Sequence, residues 1–94
     1  MQTIDLTVRN PSGIHLRPGG EFVRTAGRFK AAITVQDLDR GSAPINAKSV
    51  ILVLGSGMVQ GHRIRISADG PDEADAIAAL EAAVNAGLGE AIPD

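Results

Sequence analysis

Ninety-four residues with a formal net charge of −2, 44% hydrophobic and 21% charged, make one globular domain with a single modest core. The acidic balance opposes non-specific nucleic-acid binding, which rests on phosphate neutralisation, and two Phe as the only aromatics leave no stacking platform for single strands. Without cysteine there is no disulfide framework or thiolate metal site. No apolar run exceeds about five residues, Val50 to Leu54 among them, far short of a membrane span, and no charged-then-apolar leader opens the chain.

Residues 2–9 alternate, with Ile4, Leu6 and Val8 on one side and Asp5, Thr7 and Arg9 on the other, which predicts a half-buried strand. Asn10-Pro11-Ser12-Gly13 is a turn. From Leu16 to Arg28 the period becomes helical, Phe22, Val23, Ala26 and then Phe29 falling near one face. Ala32 to Gln36 alternates again, and Asp37 to Pro44 is a polar loop. Ile45 and Ala47 form a short third strand. Ser49 is an N-cap for a short helix through about Gly55. Arg63 to Ala68 is the clearest strand. Asp69-Gly70-Pro71-Asp72 turns into a helix with Pro71 near its first position and acidic residues in its first turn, as the dipole favours. Ile77, Leu80, Val84 and Leu88 make its apolar stripe, Gly87 its C-cap, and residues 91–94 a frayed tail. The order β-α-β-β-α-β-α with short connections predicts an α+β two-layer domain, an antiparallel sheet with helices on one face.

The chemistry concentrates at Gly13-Ile14-His15-Leu16-Arg17-Pro18. A glycine-permitted turn leads into His15, and Pro18 suits the first position of a helix, where its missing N–H is harmless. An imidazole at that mouth meets free backbone N–H groups and the positive end of a dipole. A phosphate on His15 would be held there, with Arg17 as a fixed positive charge. Downstream, Ala47-Lys48-Ser49 precedes Val50 to Leu54, an all-round apolar segment whose surplus predicts an exposed patch of the kind partners use.

On these motifs, with Gly57, Gln60, Gly61 and the closing Gly87-Leu88-Gly89-Glu90, residues 2–90 resemble HPr. That is the histidine-containing phosphocarrier family of the phosphoenolpyruvate:sugar phosphotransferase system. The resemblance implies an open-faced sandwich of four antiparallel strands and three helices. It implies phosphorylation on Nδ1 of His15 with Arg17 as phosphate partner, enzyme I as donor and an enzyme IIA domain as acceptor. Leu16, Gly20, Val50, Ile51 and Leu54 become candidate docking residues, and Arg24 and Arg28 an electropositive rim. Ser49 matches the family's regulatory serine, the target in some members of an ATP-dependent serine kinase/phosphorylase. Such a protein is a stoichiometric relay, not an enzyme. It needs no cofactor or metal, inserts in no membrane, and works as a cytoplasmic monomer. Two departures stand out: Gly19 and Gly20 replace alanines usual after Arg-Pro, and the Asp37 to Pro44 loop is longer than the family's tight turn.

Other readings carry less. His62 is a loop histidine, and two histidines without a carboxylate cluster make a poor metal site. Gly55-Ser56-Gly57 lacks the Lys-Ser/Thr of a phosphate loop. The acidic residues at 69, 72, 73, 75 and 81 are turn and helix-face charge. A regulatory module acting through Ser49, or a relay serving only regulation, shares the same framework; intact His15 and Arg17 favour the carrier. An unrelated α+β ligand- or RNA-binding domain is opposed by the low aromatic content. A domain of a longer phosphotransferase is a further alternative, although the chain starts and ends like a stand-alone protein.

Overall fold

The computed structural model describes residues 1–92. Its elements run β1 (Gln2–Thr7), α1 (Leu16–Gly27), β2 (Ala32–Asp37), β3 (Ile45–Asn46), α2 (Val50–Leu54), β4 (Arg63–Asp69) and α3 (Glu73–Asn85). The strands form one sheet in the order β1-β4-β2-β3, every neighbouring pair antiparallel. The sequence predicts the strands but not this order, in which β4, near the end of the chain, separates β1 from β2.

Period-two alternation explains the register. Ile4 faces Ile66, Leu6 faces Ile64, and Val35 faces Ile66 from the other side, so one face is apolar and carries the helices. Ile33, Val35, Ile64, Ile66 and Ala68 are buried there. The opposite face is open and polar: Arg65 pairs with Asp5 at 2.8 Å, and the hydroxyls of Thr3 and Ser67 lie 3.1 Å apart. Exposed contacts of this kind contribute little. The helices close the core. Phe22 and Ala26 of α1 and Ile77, Leu80 and Val84 of α3 are buried against the strands, as the stripes require. Removing Phe22 from water contributes about 2–3 kcal/mol.

Several boundaries differ by a residue or two. α1 begins at Leu16, so Pro18 is its third residue, still within the first turn where no N–H has an intrahelical acceptor. Pro71 stands before the N-cap, Asp72. Asp72 does not cap its own helix with its side chain; its two oxygens accept the backbone N–H groups of Lys30 (2.8 Å) and Ala31 (2.9 Å). Those bonds tie the start of α3 to the entry of β2. Ala86 is the C-cap of α3, and Gly87 follows it at φ +89°. β2 runs on through Asp37, a buried carboxylate at a position where alternation demanded an apolar residue. Part of the tail expected at 91–94 lies outside the described residues.

Candidate functional site around His15

The site begins with the turn that follows β1. Asn10 is fully buried, and its side-chain amide donates to the Gly13 carbonyl at 2.8 Å, while the Gly13 N–H returns to the Asn10 carbonyl at 3.1 Å. Gly13 sits at φ +64°, and a Cβ there would lie 2.8 Å from Cα of Val59 and closer still to the Met58 carbonyl. Only glycine satisfies both the dihedral and the close approach. The next residue, Ile14, is fully buried and donates to the Met58 carbonyl at 2.9 Å. His15 therefore leaves a fixed anchor.

His15 is the N-cap of α1, in extended conformation (φ −129°, ψ 165°), half-buried, with no side-chain capping bond. Its imidazole is not spent on the helix, although its carbonyl accepts from Gly19 at 3.0 Å. Pro18 has no N–H, so the helix mouth presents the N–H groups of Leu16 and Arg17. Leu16 lies at φ +52°, a left-handed conformation that a β-carbon disfavours by about 1–2 kcal/mol. It is 77% exposed, so no core contact of its side chain compensates. Arg17 is exposed beside it. Free donors, a dipole end and an exposed guanidinium lie beside one imidazole, an arrangement able to hold an anionic group without enclosing it.

Glu90 supplies the rest of the support, from the far end of the chain. Its Oε1 accepts from the Asn10 amide (3.0 Å) and the Ser12 N–H (2.9 Å), and its Oε2 from the Ser12 hydroxyl (2.7 Å). Those bonds, Asn10's first and then Ser12's, hold the Glu90 carboxyl below its ordinary range, with a smaller contribution from the Arg17 charge. Nothing in local spacing marks this residue, which lies 78 positions from Ser12.

The short helix α2 is as anticipated. Ser49 is its N-cap, the hydroxyl accepting from the Leu52 N–H at 3.3 Å. Only Val53 is buried; Val50, Ile51, Leu52 and Leu54 face solvent, Ile51 at 83% exposure. The α1 mouth and α2 meet at Gly19, where a Cβ would lie 2.5 Å from a methyl of Leu54 and 3.1 Å from the Ile14 carbonyl. Gly20 opens onto free space. The basic rim is less free than expected. Arg24 is ion-paired with Glu21, and Arg28 lies over the Phe29 ring at 5.7 Å.

His62 is not a free loop histidine. It is half-buried, its Nδ1 is 2.8 Å from Asp37 Oδ2, and Asp37 Oδ1 accepts from the N–H groups of Asp39 and Arg40. The pair holds the β2–β3 loop. A cavity of about 380 Å³ beside that loop, lined by Val35, Asp37, Arg40, Leu52 and Met58 among others, contains neither His15 nor Arg17. Among the described residues no group of three or more His, Cys, Asp or Glu could hold a metal ion, and no helix is long and apolar enough to cross a membrane.

The family model described as "PTS HPr component phosphorylation site" matches residues 2–86. The chain is 40% identical over 88 residues, 94% of its length, to a multiphosphoryl transfer protein of Vibrio cholerae, of which it covers 22%. It spans about a fifth of the length of the curated relatives it matches. Among solved structures, an HPr from Thermoanaerobacter tengcongensis superposes with a TM-score of 0.91 at 34% identity, covering 98% of this chain and 100% of that one. The phosphocarrier protein HPr from Bacillus anthracis gives 0.81 at 30% identity, over 88% of this chain and 95% of that one. The chain belongs to the PTS-HPr family and carries its phosphocarrier domain.

Proposed function

We propose that His15 is the phosphoryl acceptor and that the protein is a stoichiometric relay in the phosphotransferase system. The observation that carries this reading is the uncommitted imidazole of His15 at the mouth of α1, beside the exposed Arg17. With Nε2 protonated, the lone pair on Nδ1 attacks phosphorus of a phosphohistidine on enzyme I. The bond from phosphorus to the donor nitrogen breaks as the new one forms, and the donor imidazole keeps the electron pair. Arg17 and the Leu16 and Arg17 N–H groups neutralise the three equatorial oxygens, which is most of what phosphoryl transfer requires. The reverse step, toward an enzyme IIA domain, needs the group to leave as readily. An open site with one arginine suits both directions.

Both partners meet the same face. Leu16, Gly20, Val50, Ile51 and Leu54 supply an apolar centre, and Arg24 a charge at its edge, which speeds encounter with acidic partners. One face that must be vacated between donor and acceptor fits a cytoplasmic monomer. Ser49 is the regulatory position. A phosphate there sits favourably at the start of α2 yet places negative charge inside the docking patch, weakening association with acidic partners. The exposure of α2 also suits a second reading, a regulatory module that binds through the Ser49 face without carrying phosphate. Incubation with enzyme I and phosphoenolpyruvate, followed by addition of an enzyme IIA domain, separates the two by intact mass. A relay gains one phosphate and then loses it; a binding module gains none.

A further inference from the structure

We propose that Glu90 is a positioning residue for His15, its carboxylate clamping the Asn10–Gly13 turn that aims the imidazole. The inference rests on His15 being the phosphoryl acceptor. Three donors converge on the two carboxylate oxygens, two from Ser12 and one from the buried Asn10. The same Asn10 amide also holds the Gly13 carbonyl, so the clamp extends to the residue that precedes the buried anchor Ile14. The side-chain amide oxygen of Asn10, Oδ1, is buried without a partner. The side chain is thus oriented for its two donated bonds at the expense of its acceptor, and Glu90 is what makes that orientation favourable.

The chain also bends sharply to deliver this carboxylate. Gly87, Leu88 and Gly89 take φ of +89°, +52° and +89° in succession. Leu88 is unfavourable there because it carries a β-carbon, and its nearly complete burial in the core holds it in place. The Glu90 N–H closes the bend on the Gly87 carbonyl at 2.9 Å. Gly87 alone is an ordinary left-handed helix end; the left-handed Leu88 and Gly89 that follow are beyond what ending the helix requires. An ionised acceptor makes stronger bonds than a neutral one, and the turn it fixes ends two residues before the nucleophile.

A loosened turn leaves docking intact but spoils the line of attack, and misplacement of a reacting group by about 1 Å slows a reaction on the order of 100-fold. The test measures phosphorylation by enzyme I of the whole chain and of Glu90→Ala, Glu90→Gln, Ser12→Ala and the Glu90→Ala/Ser12→Ala double variant. Each is assayed at a temperature where far-ultraviolet circular dichroism shows it folded. Glu90→Ala is expected to lower kcat about tenfold to 100-fold, with KM changed less than about twofold. Glu90→Gln, which keeps an acceptor oxygen, recovers part of the loss. The double variant is no slower than Glu90→Ala, because the Ser12 hydroxyl has already lost its partner. Wild-type kcat in Glu90→Ala, a loss confined to KM, or losses that add in the double variant overturn the proposal. If Glu90→Ala does not fold, wild-type kcat in both Glu90→Gln and Ser12→Ala overturns it equally. A wild-type chain that takes no phosphate refutes the carrier reading itself, an outcome distinct from a phosphorylated wild type with unaffected variants.

Discussion

The two glycines after Pro18 offer a sharp prediction because the structure treats them differently. Gly20 is the fifth residue of α1, with helical neighbours on both sides and no atom within 4 Å of a built Cβ. Alanine there gains helix propensity of about 0.8–1.0 kcal/mol and restricts the unfolded chain. With some of that lost near the helix start, Gly20→Ala is expected to stabilise by about 0.5–1 kcal/mol. For a domain of this size that raises the melting midpoint by about 3–6 °C. Gly19 has the same propensity to gain, but its Cβ meets Leu54 at 2.5 Å and the Ile14 carbonyl at 3.1 Å. Leu54 must swing away and the backbone must give, so overpacking offsets the gain and Gly19→Ala ends no more stable than the parent. Urea melts followed by circular dichroism measure both changes, and methyl NMR of Leu54 reports its displacement in Gly19→Ala alone. Equal stabilisation by the two substitutions, with the Leu54 methyls unmoved, would refute the reasoning.

Other consequences follow from the same geometry. Phe22→Ala removes the largest fully buried side chain and is expected to lower stability by about 3–5 kcal/mol in denaturant melts. Arg17→Ala leaves the fold unchanged and slows phosphoryl transfer about 100-fold, with Arg17→Lys intermediate, by rapid-quench kinetics with enzyme I. Asp72 and Glu90 both have carboxyls held below their ordinary range: Asp72 chiefly by the Lys30 N–H, Glu90 by the Asn10 side chain. A depressed folded-state value means their contribution is complete above the unfolded range. It is lost as pH falls through that range and the lower folded one. Thermal melts from about pH 7 to about pH 3 should decline, less steeply in Asp72→Asn and Glu90→Gln. Ser49→Asp is expected to weaken enzyme I binding in calorimetry, whereas Ser49→Ala leaves it intact.

Local periodicity made most of the fold legible. Alternation at Ile4, Leu6, Ile64 and Ile66 and the stripe Ile77, Leu80 and Val84 appear in the structure as read, whereas Leu88, read as the last member of that stripe, is buried but lies beyond the end of α3 in a left-handed conformation. These patterns depend on neighbours two to four residues apart, and burial of one face enforces them. The same is true of the Ser49 cap and of the apolar helix it starts, which is too short to bury more than Val53. Strand order was not legible, since it is set by which edges pair across the whole chain. Asp37 was misjudged as loop because its charge broke the alternation; the tertiary partner His62 and the N–H groups of Asp39 and Arg40 make that carboxylate tolerable inside. Within the site, the stretch Gly13 to Pro18 announced itself because turn, nucleophile and helix start are consecutive. Glu90, Asn10 and Ser12 did not, because their bonds join opposite ends of the sequence.

Phosphorus NMR of the chain after incubation with enzyme I and phosphoenolpyruvate, set beside His15→Ala, tests the central claim most directly. One acid-labile resonance of an Nδ1-phosphoimidazole, matched by a mass gain of one phosphate and absent from His15→Ala, is the predicted result. An unphosphorylated wild type in the presence of a cognate enzyme I, or a phosphate that persists in His15→Ala, contradicts it.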